Sequence, residues 1–269
     1  MTRTLGLMAV LAHPDDESLG VGGTLARYAA DGVHVSLVTA TRGQAGRFHG
    51  LAPGTEGHPG REALAALRHA ELRAAASTLG VASLDVLGYE DGRLSEAPPR
   101  QVIGDIATAI RRERPDVLLT FAPDGAYGHP DHIAISQCAL AAVVEAAAAV
   151  GPSPAHTVRK AYVLAWPADV WAAYQTAFAS LVSRVDGVER RAVPWPDWAI
   201  TTTIDTQACW STVWRAVQCH DSQIGGYAAL RTLGSDDHAA LWGRQSFYRV
   251  FSTVSGGRAR ETDLFEGLR

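Results

Sequence analysis

The sequence is poor in cysteine, in lysine and in long apolar runs. Its three cysteines form no Cys-x-x-Cys pair, which argues against a thiolate zinc site and a disulfide framework. Lys160 is the only lysine, the arginines are scattered and the net charge is −4, so the chain lacks the basic patch of a nucleic-acid-binding protein. No apolar stretch reaches the roughly 18 residues of a membrane-spanning helix. We therefore expect a cytoplasmic protein with neither a nucleic-acid nor a membrane partner.

What the chain does have is enough apolar residues for a large core. With 269 residues, 47% of them hydrophobic, it is expected to fold as a single α/β domain over residues 1–269. Within this domain we expect residues 1–150 to carry the motifs. Residues 151–269 are expected to form a less regular part that covers the sheet and shapes the substrate pocket. The apolar run at residues 5–11 ends in histidine and acidic residues without a cleavage site, which indicates a strand and not a signal peptide.

The first half of the chain alternates between strand-like and helix-like patterns. This alternation favours a mostly parallel, Rossmann-like sheet with helices on both faces. Right-handed crossovers place the C-terminal ends of parallel strands on one edge, so we expect the active site at that edge. The predicted strands cover residues 5–12, 33–40, 81–87 and 116–122, and the predicted helices cover residues 18–30, 62–79, 100–112 and 133–150.

The second half is less regular and contains all seven tryptophans. Strands are predicted at residues 158–165, 199–204 and 246–253, and a helix at residues 206–220. We expect the tryptophans to form an aromatic core and covering layer. The alternative is that some of those between Trp166 and Trp198 line a cleft against the face of a sugar.

Two short polar segments follow two of the predicted strands. Ala-His-Pro-Asp-Asp-Glu occupies residues 12–17, and Gly-His-Pro-Asp-His occupies residues 128–132. Ends of strands in one parallel sheet can meet in space, although 119 residues separate His13 from His132. We therefore expect the two segments to form one site.

These segments contain the side chains that a hydrolytic metal site needs. Such a zinc site has three protein ligands and keeps its fourth position for water. His13, Asp16 and His132 supply two imidazoles and a carboxylate, which leave a bound ion net positive and able to lower the pKa of water toward about 7. Because Asp15 and Asp16 are adjacent, their side chains point in different directions, and one is free to act as the general base.

Three more polar residues lie close in sequence to His132. His129 is three residues earlier, so one of the two imidazoles can bind metal while the other faces a substrate carbonyl oxygen. Asp131 can accept a hydrogen bond from His129 and keep that ring protonated. Tyr127 offers another donor to a developing oxyanion.

The residues alone leave other interpretations open. His-Pro-Asp after a strand is also typical of a turn that caps a helix, with Asp15, Asp16 or Ser18 as the cap. Two histidines and a carboxylate also suit a non-haem Fe(II) oxygenase. Gly-Val-Gly-Gly-Thr-Leu at residues 20–25 approximates a nucleotide-binding loop but lacks its last glycine, and close helix packing explains these glycines equally well.

The motifs resemble those of the LmbE-like/PIG-L family of metal-dependent N-deacetylases. That family includes N-acetylglucosaminyl-phosphatidylinositol deacetylase and deacetylases of the mycothiol and bacillithiol pathways. The resemblance rests on the segments at residues 12–17, 41–43 and 128–132, continues through Arg68, Glu71 and residues 79–81 and 91–93, and is weaker at Cys-His-Asp-Ser-Gln, residues 219–223.

The resemblance implies a zinc-dependent hydrolase that removes an N-acetyl group from an amino-sugar conjugate of the N-acetylglucosamine type. It implies that zinc, or another divalent metal such as Fe2+, is held by His13, Asp16 and His132. It makes Asp15 the base that activates water. Tyr127 and His129 then stabilise the oxyanion, His129 protonates the leaving amine, and Asp131 tunes His129.

The resemblance is less specific about the substrate. It places Arg68 at a polar substrate group and Asp91 near the sugar, although Arg68 also suits an exposed helix position and Asp91-Gly92 an ordinary turn. Gln44 stands where many members have glutamate, which puts a substrate contact there in doubt. The expected partner is a small N-acetylated molecule, with a non-sugar N-acyl amide as the alternative. The oligomeric state stays open, a homo-oligomer included.

Overall fold

A central sheet organises the molecule. The computed structural model describes residues 4–149, 154–178, 182–185, 187–254, 257 and 259–269. Among these residues, seven strands form the sheet and two form a separate hairpin. In chain order the strands are β1 (Gly6–Leu11), β2 (His34–Thr41), β3 (Ser83–Tyr89), β4 (Val117–Thr120), β5 (Lys160–Leu164), β6 (Val182–Val185), β7 (Val188–Arg191), β8 (Thr202–Asp205) and β9 (Arg244–Ser252).

The order of strands in the sheet is β3-β2-β1-β4-β5-β9-β8. From β3 to β5 all neighbours are parallel, whereas β9 pairs antiparallel with both β5 and β8. The order 3-2-1-4-5 is that of a Rossmann-type sheet, in which the direction of winding reverses between β1 and β4. The predicted α/β fold with a mostly parallel sheet is confirmed, and β9 and β8, joined by antiparallel pairing, extend the edge beyond β5.

Helices cover both faces of this sheet. All six residues of β1 are buried, as expected for a strand covered on both sides. The helices within the described residues are α1 (Asp16–Ala30), α2 (Arg61–Thr78), α3 (Pro99–Glu113), α4 (Gly125–Gly128), α5 (Pro130–Ala147), α6 (Ala168–Phe178), α7 (Trp210–Cys219), α8 (Asp221–Ile224) and α9 (Ser235–Trp242). α1 and α2 both pack on α7, and α3 packs on α5. Within the described chain, no helix is both long and apolar enough to cross a bilayer.

The glycines at positions 20, 22 and 23 serve helix packing. They lie inside α1, where a side chain at Gly22 would approach Val213 and one at Gly23 would lie 2.8 Å from the Cβ of Thr206. Glycine therefore lets α7 and the chain before it approach α1 closely. This position inside a helix leaves the nucleotide-binding interpretation without support.

The second half differs most from its prediction. The strand expected at residues 199–204 begins only at Thr202, because Asp197–Ala199 forms a 3₁₀ turn. The helix expected at residues 206–220 is likewise a short 3₁₀ turn followed by α7. α6, α9 and the β6–β7 hairpin were not predicted.

In the first half, the helix predicted at residues 133–150 begins earlier, at Pro130, because proline suits a first helical turn. Val150 lies outside the described residues.

Candidate active site

The two polar segments meet at the point where the winding of the sheet reverses. β1 and β4 are adjacent and parallel, so the loops that follow them leave the same edge of the sheet. His13 lies just after β1, and His132 lies in the first turn of α5, which follows β4. Their ring atoms Nδ1 of His13 and Nε2 of His132 are 3.2 Å apart. The predicted convergence of the two segments is therefore present.

Asp16 completes a triangle of possible metal ligands. Its Oδ2 lies 3.5 Å from Nδ1 of His13, and its Oδ1 lies 3.4 Å from Nε2 of His132. A tetrahedral ion with bonds of about 2.0–2.1 Å places its ligand atoms about 3.3 Å apart. Stacking on Phe121 at 3.9 Å fixes the ring of His132. The two distances end on different oxygens of Asp16, and the three side chains therefore lie close enough together to share a divalent cation.

Other side chains near His13 could also approach a metal. His13 with His129 and His132, and His13 with Asp91 and Asp131, each bring ligand atoms within 4.8 Å of one another. In the second group, however, both carboxylates lie on the other ring nitrogen of His13, Nε2, at 3.2 Å. An Nε2–H that donates to carboxylates leaves Nδ1 free for a metal. This favours the triangle of His13, Asp16 and His132.

Asp131 does not take the position that we expected. Its buried carboxylate accepts hydrogen bonds from His13 Nε2 and from the backbone N–H groups of Gly92 and Leu94. His129 instead receives the backbone N–H of Asp131 at Nδ1, 3.2 Å away. A neutral His129 ring therefore carries its proton on Nε2. Burial lowers the pKa of His129, which favours this neutral form. The carboxylate of Asp131 orients His13, and only its backbone orients His129.

Asp15 has an unusual backbone conformation for a residue before a helix. Its φ is 116°, and its side chain makes no capping hydrogen bond to α1. The carboxylate Oδ2 accepts instead from Nη2 of Arg68, 3.0 Å away. Burial raises the pKa of Asp15 to about 6, against the opposing charge of Arg68. The capping interpretation therefore fails for this carboxylate, which is held beside the metal-ligand triangle.

Arg68 is a buried residue of α2, which excludes the exposed-helix alternative. Besides Asp15, its guanidinium donates to the carbonyl oxygens of Pro14 and Gly43. A Cβ at Gly43 or Gly46 would lie within 2.4–2.6 Å of this guanidinium, so both positions need glycine. Arg68 therefore holds Asp15 and borders the cavity described next.

A cavity of about 580 Å³ opens beside these side chains. Part of its lining is polar, with Asp91, Gly92 and Arg47, and Tyr127 and His129 lie next to His132. Another part is an aromatic wall made by Trp166, Tyr174 and Phe178. Consecutive rings of this wall stack at 4.8 and 5.5 Å. Of the tryptophans, Trp166 therefore matches the cleft alternative, whereas Trp171 and Trp242 are buried as expected for core residues.

The sequence prediction missed the role of several residues that support the site. Glu17 is buried against His220, with 2.7 Å between Oε1 and Nε2. Glu71 accepts hydrogen bonds from both the backbone and the hydroxyl of Ser222. The weak similarity at residues 219–223 was the available signal. Gln44 donates to the carbonyl of Tyr89 and to Glu90, and so it holds the loop after β3.

Comparison with known proteins identifies the family. Residues 8–143 match the family model described as PIG-L, GlcNAc-PI de-N-acetylase. The chain belongs to the PIG-L family. One PIG-L relative is the 1D-myo-inositol 2-acetamido-2-deoxy-alpha-D-glucopyranoside deacetylase of Kineococcus radiotolerans, 32% identical over 97% of this chain and 82% of the relative. The resemblance predicted from the motifs is confirmed.

Solved structures share the PIG-L fold with this chain. N,N'-diacetylchitobiose deacetylase from Pyrococcus horikoshii has a TM-score of 0.64 at 21% identity, covering 91% of this chain and 83% of its own. GalB, the 4-carboxy-2-hydroxymuconate hydratase of Pseudomonas putida, has a TM-score of 0.70 at 18% identity, covering 94% and 99%. Because a hydratase shares the fold, the reaction must be argued from the site.

Proposed function

We propose that this protein is a metal-dependent N-deacetylase that hydrolyses the acetamide of an N-acetylglucosamine-type conjugate. The observation that carries the proposal is the triangle of His13, Asp16 and His132 with the Asp15 carboxylate held beside it by Arg68. The names of the PIG-L relatives support the same reaction. The hydratase among the fold relatives does not weaken it, since at 18% identity that likeness concerns the fold alone.

The metal is proposed to be Zn²⁺, and the same ligands also suit Fe²⁺. His13, Asp16 and His132 would hold it, with Asp131 and Asp91 orienting the ring of His13. A divalent ion bound there supplies a Lewis acid that polarises the amide carbonyl and lowers the pKa of water. The proton transfers and the stabilisation of the oxyanion are assigned to side chains of the protein.

Asp15 is assigned as the general base. A carboxylate with a pKa of about 6 can take a proton from water near neutral pH while the water oxygen attacks the carbonyl carbon of the acetyl group. His129 Nε2–H and the Tyr127 hydroxyl are assigned as donors to the oxyanion that forms. The C–N bond then breaks, and the leaving nitrogen takes the proton that Asp15 removed from water. Asp15 is assigned this acid step in place of His129, because the neutral His129 ring has only the Nε2–H that it donates to the oxyanion. The products are acetate and a free amine.

The cavity supports an amino sugar as substrate. Sugars present both hydroxyls and an apolar ring face, and this cavity has a polar side at Asp91 and an aromatic wall at Trp166. Asp91 and Arg47 are the proposed contacts for sugar hydroxyls. Arg68 is already engaged with Asp15, so we assign it to holding the base first.

The test is amine release from a panel of acetylated compounds. The protein is stripped with chelator, reloaded with Zn²⁺ or Fe²⁺, and given N-acetylglucosaminyl inositol, N,N'-diacetylchitobiose, an aryl N-acetylglucosaminide and an N-acetyl amino acid. We expect equal amounts of amine and acetate from sugar conjugates, and none after chelation. Release only from the N-acetyl amino acid would favour the non-sugar alternative, and no release from any compound would refute the proposal.

The Asp15→Asn variant separates the base from the metal site. We expect kcat to fall by about 10³-fold, since loss of a general base costs 10²–10⁴-fold. The metal content, measured by mass spectrometry, should stay that of the wild type because Asp16 and the two histidines remain. Full activity in this variant would contradict the assignment of Asp15.

A further inference from the structure

A buried charge pair connects the start of α1 to the junction of α7 and α8. Glu17 is fully buried and His220 is 3% exposed. The pair lies 2.7 Å apart across 203 residues of sequence. A buried charged pair is by itself weak evidence for stability, so the role of this pair must be argued from its other contacts.

The carboxylate of Glu17 also holds the backbone of Asp15. Its Oε2 accepts the N–H of Asp15 at 3.0 Å, while Oε1 accepts from Ser18 Oγ at 2.6 Å and faces His220. Asp15 has a φ of 116°, a strained conformation that a non-glycine residue keeps only where its surroundings hold it. The hydrogen bond from Glu17 therefore stabilises a backbone that would otherwise relax.

The strained backbone decides where the Asp15 side chain lies. An ordinary residue before a helix turns its side chain back to the first N–H groups, whereas Asp15 presents its carboxylate to Arg68. We infer that Glu17, anchored by His220, is a positioning residue that sets the direction of the Asp15 carboxylate. This inference rests on the proposed function, in which Asp15 is the base.

The competing explanation is that the pair only attaches α7 and α8 to α1. The two explanations differ in what they require of residue 17. Positioning requires an oxygen that accepts the Asp15 N–H, whereas attachment requires the charge pair with His220. Glutamine keeps the oxygen and can still donate to His220, while methionine has a similar length and no oxygen acceptor.

The experiment therefore compares Glu17→Gln with Glu17→Met in the metal-loaded enzyme. We expect Glu17→Gln to retain kcat within about threefold, and Glu17→Met to lose about 10²-fold in kcat, as a misplaced catalytic group does. KM and metal content should stay close to wild type in both. Equal kcat values for the two variants, or a loss confined to metal content, would overturn the inference.

A matched control is the buried acid Glu261, whose Oε1 lies 2.7 Å from Lys160 Nζ, away from the cavity. Glu261→Met should lower the melting temperature and leave kcat per folded molecule unchanged. If Glu17→Met does not fold, His220→Leu takes its place, with a smaller expected loss of about tenfold because the Asp15 N–H keeps its acceptor. A kcat of wild-type size in that variant would overturn the anchoring by His220.

Crystal structures of the Glu17 variants test the inference without turnover. In Glu17→Gln, Asp15 should keep its positive φ and its contact with Arg68. In Glu17→Met, we expect Asp15 to leave this conformation. An unchanged Asp15 in Glu17→Met would refute positioning, whereas a wild-type enzyme that releases no amine would refute only the proposed function.

Discussion

At the scale of single residues, His13 and Asp15 are each held by other buried polar side chains. His13 donates to Asp131 and Asp91, and Asp15 accepts from Arg68. Such supports fix rotamers before any ligand binds, which is what preorganised catalytic geometry requires. The supports in turn need space, and at Arg68 that space is provided by the absence of a side chain at Gly43.

Gly43→Ala should therefore damage the site through Arg68. The new Cβ would lie 2.4 Å from Nη1 of Arg68, at a residue whose φ is +67°. We expect kcat to fall at least about tenfold as the guanidinium moves from Asp15. Gly54→Ala is the matched control, because Gly54 has a φ of +81° and, among the described residues, a Cβ there would meet no atom within 4 Å. Both variants carry backbone strain of about 1 kcal/mol, so equal kcat values would contradict the steric argument.

The sequence predicted which residues would meet, and it did not predict how they would bond. His13, Asp16 and His132 follow neighbouring parallel strands, so their convergence could be predicted from strand order. The partner of Glu17 lies 203 residues away in a segment with only weak similarity to the family. Asp131 was assigned to its neighbour His129, but its carboxylate reaches His13, 118 residues distant. Such contacts depend on tertiary packing, which local sequence patterns do not predict.

At the scale of secondary-structure elements, the parallel half of the fold follows from periodicity. Its central strands β1 and β4 are almost entirely apolar and fully buried, because both faces of the sheet are covered there. α6 has a weaker pattern and was missed, since its aromatic residues are divided between core and cavity. The missed element matters for the cavity, because α6 and Trp166 before it provide its aromatic wall.

The aromatic wall should contribute to substrate binding more than to chemistry. Trp166→Ala removes a cavity-lining ring that stacks on Tyr174 at 4.8 Å. We expect KM for an N-acetylglucosamine conjugate to rise about tenfold, equivalent to about 1.4 kcal/mol, with kcat changed much less. Trp198→Ala is the control, because Trp198 is 85% exposed and does not line this cavity. Unchanged KM in Trp166→Ala would show that the substrate lies elsewhere in the cleft.

At the scale of the whole molecule, the segment around Glu261 packs against the sheet on the side away from the candidate active site. Lys160 begins β5, at the edge opposite the ends of the strands that carry the metal ligands. This lysine, the only one in the chain, donates to Glu261 and to the carbonyl oxygens of Leu264 and Glu266. Glu261 also pairs its backbone with Thr202 of β8.

The division of the chain into a motif-bearing part and a covering part stays a prediction.

Glu261 should make the stability of the protein sensitive to acid. Burial alone would raise its pKa, but hydrogen bonds from Lys160, Tyr162 and Thr202 outweigh burial and hold that pKa below its usual 4.5. A carboxyl with a depressed folded pKa stabilises the fold above its unfolded pKa, and this contribution disappears as the pH falls through the folded pKa.

Glu261→Gln tests this contribution by urea unfolding at several pH values. At pH 7 we expect the variant to be less stable by about 3 kcal/mol, because Lys160 keeps its charge without a buried partner. Below pH 4.5 the wild type should lose stability faster than the variant, so that the difference between them narrows. Activity at pH 7 should be unchanged per folded molecule, because the pair lies far from the cavity. A difference in unfolding free energy that stays constant from pH 7 to pH 3 would mean that the ionised Glu261 carboxylate does not contribute to folding through its partners.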